Sequence, residues 1–202
     1  MMLLDSIKEI LLSGDFVHIS LNNDEKHFTS CFSKMEFMTA YAYLNNLLQK
    51  NKIQSIYVST PPSIYRGQDG EFREYVEMKN TMFRTHSINE IEASLLREYK
   101  GLKKADGKWI KSMSISIFDP TNLEEMEDFY GKKYFVFTGF NTDSEILLNS
   151  MLSSDNGFVP IVISDCVSSP SERTHFGTLE CISKFAYVID SRDIESMTGV
   201  GI

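Results

Sequence analysis

Residues 134–148 read YFVFTGFNTDSEILL. The first five are apolar or β-branched with no polar alternation, which is the pattern of a strand buried on both faces. Gly139 ends the run, and Asn141-Thr142-Asp143-Ser144 comes next with residue types that open helices. From there to residue 156 the apolar spacing lengthens to a helical period. A strand that passes through glycine straight into a helix is the corner from which parallel α/β sheets are built. The N–H groups of such a first turn face the carboxyl end of the sheet and can hold an anion or an oxyanion. Asn141 and Thr142 are the candidate pocket residues of this corner. The competing reading is a plain strand-to-helix connection.

Working outward, the same alternation of periods recurs. Residues 2–12 read as an amphipathic helix rather than a signal peptide, because Asp5 and Glu9 interrupt the apolar run. FVHIS (16–20) is a short buried strand. Residues 33–52 form a helix with Ser33 as N-cap, and SIYVST (55–60) is a strand stopped by Pro61-Pro62. Residues 63–90 are polar and too long for a routine connection, so they read as a binding loop or lid. Residues 90–99 are helical, and WIKSMS (109–114) is a third strand. Thr121 is placed to cap a helix over NLEEMEDFYG. FVPIVISD (158–165) is a central strand with Pro160 near its start, SERTHFGTLECISKF (171–185) a helix, and AYVIDS (186–191) the last strand. The strand cores are 16–20, 55–59, 109–114, 134–138, 159–164 and 187–190. The expectation is a three-layer α-β-α fold with a mainly parallel central sheet, formed by one domain over 1–202. Ligands in such sheets bind beyond the carboxyl ends of the strands, here at 20–24, 60, 111–116, 138–145 and 165–169.

Composition narrows the function classes. The net charge is −8, which disfavours nucleic acid. KGLKKADGK (100–108) is the only basic cluster and reads as a solvated turn. No apolar run is long enough to span a bilayer, so no membrane is expected. The three cysteines, Cys31, Cys166 and Cys181, lack metal-like spacing and fit free thiols in a reducing cytoplasm. No glycine-rich phosphate loop and no nucleophile elbow occur. The four histidines are scattered, so neither a metal nor another cofactor is expected.

The motifs resemble those of the isochorismatase-like, cysteine hydrolase superfamily. That family carries G-x-x-T-x-x-C-V at the corner, and this chain has Gly139, Thr142 and Glu145-Ile146 in register. Asp165 and Cys166 match a strand ending in D-A, and His175 matches a helix bearing His. Ser20-Leu21-Asn22-Asn23-Asp24 stands where the family has D-x-Q-N-D, and Lys111 precedes Ser116-Ile117-Phe118 much as a lysine precedes S-A-F. The resemblance implies an Asp–Lys–Cys triad in which the thiolate attacks an amide or related carbonyl. Here the triad positions read Ser20, Lys111 and Glu145. The nucleophile and the base are both absent. Vinyl-ether hydrolysis also requires the Asp, because a serine hydroxyl is far too weak an acid. The metal set of nicotinamidases is matched only by His86.

These residues leave three functions open. The first is a catalytically silent family member that binds a small molecule or serves in assembly. The second is an atypical hydrolase of a C–N or related bond, with Glu145 as the working carboxylate. The third is an unrelated doubly wound binding module. The resemblance also implies a homo-oligomer, dimeric or larger, and a non-proline cis peptide near residues 140–142. Glu145 is further expected to pair with Lys111 or with the Ser20 hydroxyl.

Overall fold

A computed structural model describes residues 14–60, 90–102, 104 and 106–193. The expected helix at 2–12 and most of the polar segment, with His86, lie outside the described residues.

The sheet has six strands: β1 (Phe16–Leu21), β2 (Ser55–Ser59), β3 (Gly107–Lys111), β4 (Tyr134–Phe140), β5 (Val159–Ser168) and β6 (Tyr187–Ile189). Their order is β3-β2-β1-β4-β5-β6, and every pairing is parallel. The chain winds outward from β1 to β3, then returns beside β1 as β4 and winds the other way. The carboxyl ends of β1 and β4 therefore meet at the topological switch point, where open α/β sheets bind ligands.

Helices α1 (Glu25–Ser30), α2 (Lys34–Lys50), α3 (Glu90–Gly101), α4 (Leu123–Met126), α5 (Leu147–Asp155) and α6 (Glu172–Ile182) complete the layers. Side chains alternate across each strand, and this creates two cores. Phe16, Val136 and Ile161 pack with Phe37, Tyr41 and Leu44 of α2 on one face. Val17, Ile19, Phe135 and Phe137 pack with Met126, Leu179 and Ile182 on the other. Phe135 and Phe137 are fully buried, and each such burial stabilises by about 1.5–3 kcal/mol. Pro160 is tolerated in β5 for a geometric reason. Val159 N–H donates to Lys133 O on the β4 side, so the next position faces β6, whose pairing starts only at Ile161.

The sheet occurs as expected, but several boundaries and caps differ. β3 spans 107–111 rather than 109–114. At its start Gly107 lies so close to Ser55 that a Cβ would stand 2.1 Å from the Ser55 carbonyl oxygen. Beyond Lys111 the serines bond locally, with Ser114 N–H donating to Ser112 Oγ (3.0 Å), and such bonds compete with a ladder. The expected helix after Thr121 is broken into 3₁₀ turns at Pro120–Asn122 and Glu127–Phe129 around the short α4. Thr121 does not cap it; its N–H and hydroxyl both donate to Asp119 Oδ1. Ser33 holds the N-cap position of α2, but its hydroxyl pairs with that of Ser168 (3.0 Å).

Candidate functional site

The β4 corner is built around two backbone features. Gly139 adopts φ +103°, and a Cβ there would lie 2.0 Å from the Leu21 carbonyl oxygen. Only glycine combines that conformation with that approach of β1. The peptide between Phe140 and Asn141 is cis, as the resemblance implied. Beyond it, a π-helical turn at Thr142–Ile146 leads into α5, and neither Thr142 nor Asp143 caps it. Its N-cap is Asn141, without a side-chain bond. Ile146 N–H closes that turn on Asn141 O at 3.1 Å.

This turn buries Glu145, which is 3% exposed. Its Oε2 accepts the Asn141 backbone N–H at 3.1 Å and a short hydrogen bond from the Ser144 hydroxyl. The carboxylate thus takes for itself an N–H donor of the kind an oxyanion would use. The turn is tied to its neighbours on the opposite side. Thr142 Oγ1 lies 2.9 Å from His175 Nδ1 of α6, and Ser169 Oγ donates to Asp143 Oδ1 at 2.7 Å. Burial lowers the His175 pKa, and the Asp143 carboxylate only partly opposes this. At neutral pH the ring is uncharged.

Ser20 lies fully buried on β1 beside Thr138 of β4. Its hydroxyl accepts from Asn23 Nδ2 at 2.9 Å. Asn23 Oδ1 in turn accepts a short bond from the Tyr99 hydroxyl, and the Asn23 carbonyl accepts from Lys104 Nζ at 2.5 Å. The Lys104 ammonium also sits over the rings of Tyr57 (5.5 Å) and Trp109 (4.8 Å). Burial lowers its pKa, and nearby Asp24 works against that shift. The basic cluster is therefore not merely a solvated turn, since Lys104 is half-buried in the Ser20 network. Its signal in the sequence was weak: a lysine between a helix and an edge strand whose one aromatic residue is Trp109.

The expected partnership of Glu145 with Lys111 or Ser20 does not form. Lys111 ends β3 and is exposed. Among the described residues no ion pair reaches Glu145, and no hydrogen bond joins it to Ser20. Lys111 is exposed at the end of the edge strand β3, whereas Glu145 is buried in the turn after β4. Ser144 was missed because a serine beside a glutamate in a first turn has no distinctive spacing.

Other reactive groups are engaged elsewhere. His18 bridges Ser55 Oγ (2.8 Å) and Thr138 Oγ1 (2.9 Å), while the His27 ring bonds Asp24. Among the described residues no cluster of metal-binding side chains forms. Cys31 and Cys166 are buried free thiols. Burial pushes Cys31 up to about 11 and Cys166 well above its ordinary value. A groove of about 630 Å³ lies between α2 and the end of β6, lined by Met35, Tyr43, Asp165 and Arg192 among others. Its Asp165 carboxylate is occupied by the backbone N–H and hydroxyl of Ser191.

This architecture is shared with solved structures. An isochorismatase family protein from Burkholderia thailandensis superposes with a TM-score of 0.64 at 18% identity, over 92% of this chain and 96% of that one. The MAR1 ribonuclease from Caenorhabditis elegans gives 0.64 at 13%, over 92% and 82%. The YcaC gene product from Escherichia coli, described as an octameric hydrolase of unknown specificity, gives 0.58 at 12%, over 90% and 78%. At these identities the likeness is one of fold. No curated protein sequence matches the chain. The family profile described as "Isochorismatase domain" matches residues 76–193, more than half of the sequence. With its corner after β4, its parallel sheet and that match, the chain belongs to the isochorismatase domain family.

Proposed function

We propose that this chain is a catalytically silent member of the family, which keeps the cleft at the switch point as a small-molecule binding site within a homo-oligomer. One observation carries the reading. At the position where the resemblance puts the attacking sulfur, the Glu145 carboxylate accepts the Asn141 N–H and the Ser144 hydroxyl. A group so held is a poor nucleophile, and it competes for the donor that would stabilise a tetrahedral intermediate. Ser20 at the base position supplies no carboxylate. Assembly is supported by exposed apolar side chains such as Met35, Met151 and Phe176, and by the octameric E. coli relative in fold. Free thiols support a reducing cytoplasm.

The second reading, a hydrolase of a C–N or related bond, is favoured by one feature. Glu145 Oε1 has no protein partner among the described residues and could activate water. A hydrolysis screen over small amides, esters and vinyl ethers separates the two. No turnover above background is expected, whereas turnover that disappears in Glu145→Gln would establish the hydrolase. The double variant Glu145→Cys with Ser20→Asp is expected to gain amidase activity toward small amides if the cleft is otherwise intact.

A further inference from the structure

Both hydrogen bonds to Glu145 fall on Oε2. Oε1 accepts none and joins no ion pair among the described residues. It is nevertheless not sealed in, because the orphaned buried atom of this corner is Asn141 Oδ1, a second acceptor without a donor. The corner is thus rich in acceptors and short of donors. Among the described residues Lys104 donates to Asn23 O, Lys34 donates to Cys31 O and Lys111 is exposed at the end of β3, and none of the three forms an ion pair with Glu145. A buried carboxylate with no counter-charge is unfavourable until a cation or strong donor reaches it.

We propose that Glu145 Oε1 is the anchor for a small cationic nitrogen ligand, a primary ammonium or an amidinium, bound through one N–H because Oε2 is already occupied. This rests on the reading of the site as a silent binding cleft. It reverses the polarity implied by the family resemblance: a place that would receive a carbonyl oxygen instead receives a charged donor.

Calorimetric titration of the full chain at pH 7.5 tests this, with benzylammonium and benzamidinium as probes and benzamide and benzoate as neutral and anionic counterparts. The cations are expected to bind at least about tenfold more tightly than either counterpart, about 1.4 kcal/mol. Glu145→Gln is expected to abolish that preference, and Glu124→Gln, an exposed charge on α4, to preserve it. Equal or tighter binding of benzamide or benzoate overturns the proposal, and so does the absence of binding by both cations. Loss of the preference in Glu124→Gln would show a general field effect and also overturn it. Should Glu145→Gln fail to fold, the charge preference of the wild type still decides. Release of ammonia from benzamide would overturn the silent reading alone, because benzylammonium carries no scissile amide.

Discussion

At the scale of single residues, burial and hydrogen bonding decide what each side chain can do. His18 is fully buried between two hydroxyls, and burial lowers its pKa from 6.5 to about 3. The unfolded chain therefore takes up a proton below pH 6.5 that the folded chain refuses until near pH 3. Stability from this site is complete above about pH 6.5 and declines as the pH falls, by up to about 1.4 kcal/mol per unit. His175 contributes with the same sign. Urea unfolding at pH 7.5 and pH 5 should show the wild type losing about 2 kcal/mol more than His18→Gln, and equal losses would disprove the assignment. Gly139 presents a different constraint. Alanine there would need a left-handed backbone and would strike the Leu21 carbonyl. Gly139→Ala should destabilise by more than about 3 kcal/mol or prevent soluble expression; a variant with wild-type unfolding would show that β1 can give way. Glycine at this position was legible in the sequence. The internal hydrogen bonds of Glu145 were not, because they depend on which way a side chain turns within the corner.

At the scale of elements, the π turn at Thr142–Ile146 is held between β5 and α6. The Thr142–His175 bond is its tie to α6, and Asp143–Ser169 is its tie to the end of β5. Removing one partner of a buried pair leaves the other unsatisfied. Thr142→Val and His175→Phe should therefore each destabilise by about 1–3 kcal/mol, and the double variant by clearly less than their sum. A coupling below about 0.5 kcal/mol in that double-mutant cycle would mean that the turn holds its place without α6. α6 itself starts as the sequence suggests, with Ser171 Oγ accepting Thr174 N–H. The segment after Thr121 shows the opposite. Its acidic, helix-like composition could not outweigh the local Asp119–Thr121 bonds that set the chain turning in 3₁₀ pieces.

At the scale of the whole molecule, the thiols and the exposed apolar residues give two checks. Cys31 and Cys166 are buried with raised pKa values, so iodoacetamide under native conditions should modify Cys181 alone. Mass spectrometry that finds rapid labelling of Cys166 would contradict its placement. Light scattering after size exclusion should find a dimer or larger assembly, and a monomer at all concentrations would remove the assembly half of the proposed function. The sequence by itself determined the six strands and their parallel arrangement, since the period and length of apolar runs report burial on both faces of each strand. It also marked the corner at Gly139 and the loss of Cys and Asp at the triad positions, because these are matters of residue identity. Only the tertiary structure decided which charged groups meet. Lys111 and Glu145 look adjacent in function when read as motifs, but among the described residues no ion pair joins them, since Lys111 is exposed on the edge strand β3 and Glu145 is buried against its own turn. Lys104, unremarkable in its basic cluster, is brought to the Ser20 network by the packing of α1 on α3 and by the ring pair on β2 and β3. Contact between residues distant in sequence is fixed by strand order and packing, and neither is encoded in local periodicity.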